Sequence, residues 1–499
     1  MKITLIQPPK PSYGVQSESH WELARPFSLF FLAAFIEKHT RFDVQILDLE
    51  QNRYRNIPLE EVFHHCDSHI FGITATTYTR YEAVKIAEFI KRNYPGSTTI
   101  VGGVHFMHCP EDTLASVPEI DIVVRGEGEI IIVALANAIN NGQNIENIRG
   151  ITYRINGKII SNPDQDLFED LDSLPIYSKF SWEEYPEYLF GSKEKIRATS
   201  VMSSRGCPFK CIFCSKAGMK YRVRDAKKVV DEIQILKERL DIGGINFLDL
   251  TFTANPHHVR AVCTEMIDRK LGLKWWCESR ANIPLELLDI MKQAGCVSTV
   301  VGVESGSARI LSSISKNVSI DQVLAFCQKC SDLEIFVAPY FMFSHPGETI
   351  EDVKLTIDLM FKLEKLRGVG PCAFQPTMIF PGTEIESISH NKYLLKKDFS
   401  WYEPYFSSFN VKLGQLPNIP LFIDELKPDA LLEILKEINF RRIVGEVSNM
   451  GLRETITRGV HAIEKNPSLL KYFFSPKFYY SYLVNKFKRF QFVQHKTGR

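Results

Sequence analysis

The sequence lacks three features that would each assign it to a class of proteins. Its 60 Lys and Arg residues are balanced by 59 Asp and Glu residues, so it lacks the basic excess typical of nucleic-acid-binding domains. Its longest nearly apolar run, residues 27–36, falls well short of the roughly 20 residues that a membrane-spanning helix needs. Its N-terminus has none of the anatomy of a signal peptide. We therefore expect a cytoplasmic protein without a nucleic-acid partner.

The composition favours folded domains that contain reduced cysteines. Without an export signal, the 11 cysteines are expected to be metal ligands or buried apolar residues rather than disulfides. Hydrophobic residues make up 44% and charged residues 24% of the chain, which are ordinary values for a globular protein. At roughly 100–200 residues per domain, the length predicts about two to four domains.

Residues 1–145 alternate short β-branched runs with amphipathic segments. This alternation predicts an α/β domain with a parallel sheet between helices. Such a Rossmann-like or flavodoxin-like domain binds its ligand beyond the carboxyl ends of the strands. The predicted strands are residues 3–6, 44–47, 70–75, 98–101 and 120–124, and the predicted helices are residues 29–38, 58–65, 78–93 and 129–140.

Three further segments follow in the sequence. Residues 146–195 contain a hairpin around Asn156-Gly157 and then a polar linker. Residues 196–390 predict a complete or partial β/α barrel, whose chemistry lies at the carboxyl ends of its strands. Residues 391–499 are predicted to be mostly helical and to shape the substrate pocket. The predicted barrel strands are residues 198–203, 245–250, 273–277, 297–303, 336–343 and 373–380.

Three cysteines in a CxxxCxxC spacing follow the first barrel strand: Cys207, Cys211 and Cys214. Thiolates on one tight loop can bind three irons of a [4Fe–4S] cluster, which leaves the fourth iron open to another ligand. A structural zinc site is the alternative, but it needs a fourth ligand and no His or Cys follows closely. Three simply buried cysteines would rarely cluster on a turn rich in Gly and Pro. The motif therefore predicts an iron–sulfur cluster.

The cysteine motif, with Phe213 before its last cysteine, resembles the signature of the radical S-adenosylmethionine (SAM) enzymes. The resemblance implies that the open iron binds SAM, which is cleaved to methionine and a 5′-deoxyadenosyl radical. Four longer strings resemble the subgroup that carries an N-terminal cobalamin-binding domain, and the resemblance covers roughly residues 1–390. These strings are residues 203–209, 276–280, 302–307 and 346–349.

The resemblance also implies roles for residues at the barrel mouth. Phe213 is expected to pack on the adenine of SAM, and Arg280 and Glu304 to bind its polar groups. An ion pair between Arg280 and Glu304 at the barrel rim is the alternative. The family often has two acids at the end of the second barrel strand. This chain keeps only Asp249 there, which puts a role for Asp249 in doubt.

Two glycine-containing strings follow the fourth and fifth N-terminal strands and resemble loops that border the corrin in this subgroup. Each string alone could be an ordinary strand-to-helix turn. Glycine there would let backbone approach a large flat ligand. The implied cobalamin-binding residues are Gly102, Gly103, His105, Gly126 and Glu127.

A DxHxxG pattern at residues 67–72 resembles the motif by which many cobalamin proteins supply a lower axial histidine. Here the pattern leads into the third strand, whereas in those proteins it follows the first. We therefore reject His69 as a ligand and expect base-off cobalamin without that histidine. His105 stays a minor candidate to lie near the lower face of the corrin.

Two further features of the sequence, a pair of cysteines and a basic aromatic tail, are expected to be structural and not to bind a cofactor. Cys327 and Cys330 lie in an amphipathic helical pattern, which favours core cysteines over a second cluster. Residues 465–499 contain eight Lys or Arg residues, no acid and many aromatics. We expect this tail to dock on the protein, and peripheral membrane contact is the alternative.

The resemblance therefore implies a cobalamin-dependent radical SAM methyltransferase that acts on an unactivated carbon, and the aromatic residues of the C-terminal region suggest a small, apolar substrate. Cys207, Cys211 and Cys214 would be its catalytic cluster ligands, and a ferredoxin or flavodoxin its electron donor. Three alternatives stay open at this point. They are an oxidative cyclase or rearrangement enzyme on the same scaffold, a non-catalytic cobalamin or iron–sulfur sensor, and a radical enzyme that has lost cobalamin.

Overall fold

The computed structural model describes residues 1–11, 26–54, 57–64, 66–177, 184–192, 194–413, 415 and 417–447. The chain divides into two compact units, Met1–Glu425 and Leu426–Arg499. In the second unit the structure describes one long helix, α14 (Pro428–Val447), and the basic tail at residues 465–499 lies outside the described residues. Among the described helices, none combines the length and the apolar character that crossing a membrane requires.

The first unit begins with a parallel sheet in the order β2-β1-β3-β4-β5, which is the flavodoxin-like order. Its strands are β1 (Lys2–Gln7), β2 (Asp43–Asp48), β3 (Ile70–Thr74), β4 (Thr98–Gly102) and β5 (Ile122–Val124). Its helices are α1 (Phe27–His39), α2 (Leu59–Val62), α3 (Arg80–Asn93), α4 (Pro110–Ser116) and α5 (Gly128–Asn140). All five predicted strands form, at bounds within two residues of those expected.

Side chains alternate between two cores, one on each face of this sheet. Ile70 packs in the core that includes Ile3 and Leu5, whereas the next residue, Phe71, packs in the core on the opposite face. Successive side chains of a strand point to opposite faces, so strands covered on both faces read as continuous apolar runs. This is why the sequence pattern predicts them well.

A hairpin extends this sheet to seven strands. β6 (Ile151–Ile155) pairs antiparallel with β5 and with β7 (Lys158–Ser161). Asn156 and Gly157 both have positive φ, at 51° and 74°, as the predicted two-residue turn requires. Ile151 and Tyr153 are buried in the core of the first sheet. The hairpin thus belongs to the first sheet and not to the linker that follows it.

The second sheet is a parallel, open half-barrel of six strands. Its strands are neighbours in chain order, from β8 (Ala198–Val201) through β11 (Gly244–Phe247), β12 (Lys274–Ser279), β13 (Cys296–Glu304) and β14 (Phe336–Phe343) to β15 (Ala373–Pro376). Its connecting helices are α6 (Ala226–Leu240), α7 (Pro256–Asp268), α8 (Leu287–Gln293), α9 (Ala308–Ser313), α10 (Ile320–Asp332) and α11 (Ile350–Leu363). Of the two forms that the sequence predicts, a complete and a partial barrel, the structure shows the partial barrel.

Segments after the half-barrel join it to the first sheet. They contain α12 (Glu384–Asn391) and α13 (Ser408–Lys412). The buried Arg80 guanidinium, at the start of α3, donates hydrogen bonds to the carbonyls of Trp401 at 2.8 Å and Asn418 at 2.7 Å. One apolar cluster includes Cys109 after β4, Ile212 after β8 and Trp401. The carboxyl-end loops of both sheets therefore share one packed region.

Candidate active site

The three cysteines of the CxxxCxxC motif lie on a loop that a short two-stranded ladder closes at its base. β9 (Ser204–Arg205) pairs antiparallel with β10 (Arg222–Val223), with Arg205 opposite Arg222. Gly206 has φ +82°, and a Cβ there would collide with the Lys220 carbonyl. The closure needs glycine for this reason. We call residues 206–221 the cluster loop.

The cluster-loop thiols face a partly polar, cationic environment. Cys211 is 8% exposed, and its Sγ lies 3.8 Å from Nη1 of Arg280. The Cys207 Sγ lies 3.9 Å from the Thr251 hydroxyl. Burial raises the pKa of the Cys214 thiol, and both other cysteines of the motif act in the same direction. A hydrogen bond from the Lys216 backbone opposes this increase in the Cys214 pKa, and the positive charge of Lys216 opposes it further.

These donors fit a four-iron cluster. Each thiolate of such a cluster binds its own iron, and the loop supplies three thiols beside a buried guanidinium. Among the described residues, no three His, Cys, Asp or Glu side chains converge on a single point as the ligands of one metal ion do. The donor set thus agrees with the cluster that the motif predicts.

Arg280 and Glu304 both lie at the mouth of the half-barrel, but they do not pair with each other. Arg280 is 4% exposed, its guanidinium carbon stacks 3.9 Å from the Phe209 ring centroid, and it donates to the Lys316 carbonyl. The Glu304 carboxylate instead accepts from the Lys316 ammonium at 2.8 Å. Glu304 therefore forms a barrel-rim ion pair, as the alternative expects, but its partner is Lys316 and not Arg280.

Gly302 lies directly beside the Glu304–Lys316 pair. A substitution at Gly302 can therefore test whether this pair contributes to SAM binding. A Cβ at Gly302 would meet Lys316 Nζ at 2.7 Å and the Glu304 carboxylate closer still. We expect Gly302→Ala to displace the pair and to weaken SAM binding by roughly tenfold, about 1.4 kcal/mol. Calorimetric titration of SAM into the reconstituted protein measures this. Gly96→Ala is the control, since a Cβ there meets nothing within 4 Å, and equal affinities of both variants and wild type would contradict the expectation.

Phe213 and His345 form an aromatic wall of the mouth. Phe213 packs against the shared apolar cluster, with its ring centroid 6.3 Å from that of His345. His345 is 1% exposed, its Nδ1 lies 3.3 Å from the Thr377 hydroxyl, and its buried Nε2 has no partner among the described residues. Burial lowers the pKa of His345 to about 4. Sequence reasoning missed His345, although this residue directly precedes residues 346–349, one of the four strings that resemble the family.

Asp249 has a structural role. It is buried and accepts hydrogen bonds from the Ser203 backbone N–H at 3.0 Å and from the Ser203 hydroxyl at 2.7 Å. The Ser204 hydroxyl donates to it as well. Burial raises the pKa of this carboxyl. Asp249 therefore anchors the turn that leads into the cluster loop.

The end of β4 and the loop after it contain the first of the two predicted glycine-containing strings, with Gly102, Gly103 and His105. Gly103 has φ +93°, and a Cβ there would lie 2.6 Å from the Thr74 hydroxyl, so that only glycine fits. His105 is completely buried, with Nδ1 3.3 Å from the Thr77 hydroxyl and Nε2 3.7 Å from the Cys109 Sγ. Burial, and then the Arg80 charge, lower the pKa of His105 well below its usual value. His69 lies at the opposite end of this sheet, immediately before β3.

The loop after β5 makes contacts that the sequence did not indicate. Gly126 has φ +79° with open space beside it, but Glu127 pairs with Arg222 at 2.6 Å and with Arg205 at 3.4 Å. Glu129 pairs with Arg205 at 2.5 Å. The carboxylates of Glu127 and Glu129 thus contact Arg205 and Arg222, the two arginines that close the base of the cluster loop.

The remaining cysteines lie in the core. Cys327 and Cys330 are completely buried on α10, and Cys263, Cys277 and Cys296 are completely buried beside neighbouring elements. Burial raises the pKa of Cys327 to about 12. These thiols therefore behave as small apolar side chains, as the helical pattern around residues 327 and 330 predicts.

Family comparisons agree with this geometry. The model of the Radical SAM superfamily matches residues 201–360, and the model of the B12 binding domain matches residues 23–136. The chain is 31% identical over 413 residues to "Uncharacterized methyltransferase PH0819" of Pyrococcus horikoshii, which covers 81% of this chain and 86% of that relative. The chain belongs to the radical SAM enzymes that carry a B12-binding domain. The predicted radical SAM enzyme class and fold are thereby confirmed, as are the [4Fe–4S] cluster, SAM and cobalamin as cofactors.

Two further comparisons show the range of this family. The chain is 30% identical over 366 residues to the anaerobic magnesium-protoporphyrin IX monomethyl ester cyclase of Rubrivivax gelatinosus, covering 71% of this chain and 65% of the cyclase. The structure of TsrM, a radical SAM methyltransferase from Kitasatospora setae with cobalamin and a [4Fe–4S] cluster bound, matches with a TM-score of 0.69. That match has 20% identity and covers 88% of this chain and 90% of TsrM. It establishes the shared fold.

Proposed function

We propose that the enzyme methylates an unactivated carbon of a small, largely apolar molecule. The observation that carries this proposal is the direct contact between the B12-binding domain and the cluster loop. The ring Nε2 of His108, after β4, lies 2.9 Å from the Ser215 carbonyl, which directly follows Cys214. Together with the Glu127–Arg222 pair, this contact supports a corrin and a cluster that open to one common space.

Each cofactor has candidate residues in this chain. When bound, the cluster supplies the electron that cleaves SAM to a 5′-deoxyadenosyl radical, and cobalamin supplies the methyl group. Cys207, Cys211 and Cys214 would bind three irons, with Arg280 stabilising the negative charge at Cys211. Glu304, held by Lys316, would accept hydrogen bonds from polar groups of SAM, and Phe213 would cover its adenine.

In the B12-binding domain, the proposed contacts with cobalamin are made by backbone atoms and not by charged side chains. Gly102 ends β4, Gly103 follows it, and Gly126 follows β5 beside open space, so these loops offer backbone for close approach to a flat ligand. His105 would act from beneath them as a buried support, because both of its ring nitrogens face neighbouring side chains. We further propose a ferredoxin- or flavodoxin-type donor for the electrons.

Deuterium-labelled SAM tests the proposed methyl transfer. The reconstituted enzyme would be incubated anaerobically with methyl-trideuterated SAM, reductant and an apolar small-molecule extract. We expect a product that is heavier by one labelled methyl group, with S-adenosylhomocysteine and 5′-deoxyadenosine formed in equal amounts. An enzyme boiled before the incubation is the control.

The likeness to the cyclase makes oxidative cyclisation the second candidate. Cyclisation consumes SAM only as the radical source. A substrate-dependent rise in 5′-deoxyadenosine, without S-adenosylhomocysteine and without label in the product, would therefore contradict methyl transfer and favour the cyclase reaction.

A further inference from the structure

The inner face of β12 carries an acidic side chain that the proposed cofactor sites do not use. Trp275 and Cys277 are completely buried on the helix side, where the Trp275 indole donates to the Ala294 carbonyl after α8. Trp276 and Glu278 alternate with them and are partly exposed. Since side chains of a strand alternate between faces, Trp276 and Glu278 share the inner face of the half-barrel.

The segment before β8 covers the lower part of this inner face. The Phe190 ring packs on Trp276 with centroids 4.9 Å apart, and the Phe190 carbonyl accepts from the Ser298 hydroxyl at 2.6 Å. Its backbone N–H donates to Asn246 at 3.4 Å. This segment therefore contacts β11, β12 and β13 together and forms a floor beneath Glu278.

The inner face around Glu278 is largely apolar, but the Tyr340 phenol of β14 lies near it: burial, and then the Glu278 charge, raise the pKa of Tyr340. In the strand register, Glu278 is paired with Val300 of β13, and Val300 is paired with Ala338 of β14. At the end of the other neighbouring strand, Leu248 and Leu250 are 40% and 36% exposed. A half-barrel of this kind leaves apolar surface open to a ligand, with one carboxyl group at its centre.

Two polar groups of this surface lack partners within the chain. The buried indole Nε1 of Trp276 has no acceptor among the described residues, and the Glu278 carboxyl has no hydrogen-bond donor among them. Burial raises the pKa of Glu278 to about 7, while Lys316 lowers it and Glu304 raises it. A buried N–H such as that of Trp276 is normally hydrogen-bonded, and leaving it unpaired costs free energy, whereas the partly exposed Glu278 carboxyl is free to accept from a ligand. Both groups therefore favour a ligand that pairs with them.

We propose that Glu278 and Trp276 form the substrate subsite, and that the substrate combines an apolar body with a hydrogen-bond-donating hydroxyl or amine. Glu278 accepts the hydrogen bond of that group, and the Trp276 N–H donates to an acceptor nearby. Leu248 and Leu250 contact the apolar body. The inference rests on the proposed function, because it places the substrate next to the Glu304–Lys316 pair, where SAM is proposed to bind.

A binding experiment tests the subsite without any turnover. Three probes of similar size would be titrated calorimetrically into the reconstituted full chain with SAM present: 2-phenylethylamine, 2-phenylethanol and 3-phenylpropionate. We expect the amine or the alcohol to bind about tenfold more tightly than the carboxylate, as one hydrogen bond to a charged group allows. The tighter of the two identifies the donor as an amine or a hydroxyl.

Matched variants distinguish a specific contact of Glu278 from an effect of the overall charge of the half-barrel. Glu278→Gln should lose the preference against 3-phenylpropionate, and Trp276→Phe should weaken all three probes while keeping the aromatic contact with Phe190. Glu194→Gln is the control, since this exposed acid pairs with Lys274 at the other end of β12, and it should bind like wild type. Absence of binding by any probe, equal binding of all three, or a preference retained in Glu278→Gln would each overturn the proposal. Labelled methyl transfer can still succeed in that case, so the two failures are distinguishable.

Discussion

Cys211→Ala is expected to abolish 5′-deoxyadenosine formation, with a loss of more than about a thousandfold. Cys211 is the most buried of the three motif cysteines, and its sulfur is the one beside the Arg280 guanidinium. Without this thiolate one iron of the cluster loses its ligand, and Arg280 faces a methyl group in place of an anion. Iron content, the absorbance of the reconstituted protein and mass spectrometry of the nucleoside product measure the effect.

A second buried cysteine provides the matched control. Cys330→Ala removes a thiol from the core face of α10, which leaves a small cavity at a cost of about 1 kcal/mol. Its iron content and nucleoside formation should equal those of wild type. Full activity of Cys211→Ala, or loss of iron from Cys330→Ala, would show that the cluster has other ligands than the three proposed.

Residues close together in the sequence were the predictable part of this molecule. The apolar runs of both sheets reflect burial on two faces, and Asn156-Gly157 specifies its own turn because both residues adopt positive φ. The CxxxCxxC spacing likewise contains its chemistry within eight residues. Local pattern and local geometry agree in these cases, and the structure follows the pattern.

Contacts between distant segments could not be predicted in this way. Glu304 takes Lys316 and not Arg280 as its partner, although both lysine and arginine lie at the same rim. The position of His345, whose Nε2 has no partner in the part of the chain that the structure describes, depends on the packing of β14 and the segment after β15. Charge and spacing alone do not say which of several cations reaches a carboxylate, since this depends on the three-dimensional arrangement of loops from separate strands.

Glu127 gives the sharpest difference between the family resemblance and the structure. The resemblance places its loop at the corrin, whereas the carboxylate contacts Arg222 at 2.6 and 3.0 Å and accepts from the Phe168 backbone N–H at 2.9 Å. Burial raises the pKa of Glu127, but Arg222 and Arg205 outweigh it and hold this pKa below its usual value. The side chains of all three residues are at most 14% exposed. Glu127 is therefore a buried anion between two cations.

We expect Glu127→Gln to disturb the cluster while leaving cobalamin bound. Removing one partner of a buried ion pair costs about 3 kcal/mol, because the remaining charges stay buried without compensation. This cost falls on Arg205 and Arg222, which close the cluster loop. 5′-Deoxyadenosine formation should fall by about tenfold or more, the electron paramagnetic resonance spectrum of the reduced cluster should change, and amide hydrogen exchange should rise at residues 203–223.

The control for Glu127→Gln is an exposed ion pair that also involves the cluster loop. Lys220 pairs with Glu169 at 2.6 Å, but both side chains are about 60% exposed, and such surface pairs contribute about 0–1 kcal/mol. Glu169→Gln should therefore leave the cluster signal and the nucleoside product unchanged. The decisive comparison is between the two cofactors in Glu127→Gln. Loss of corrin absorbance with an unaltered cluster spectrum would make Glu127 a cobalamin-binding residue, as the family resemblance implies. An altered cluster with full corrin content would instead show that the loop after β5 acts on the cluster through Arg205 and Arg222.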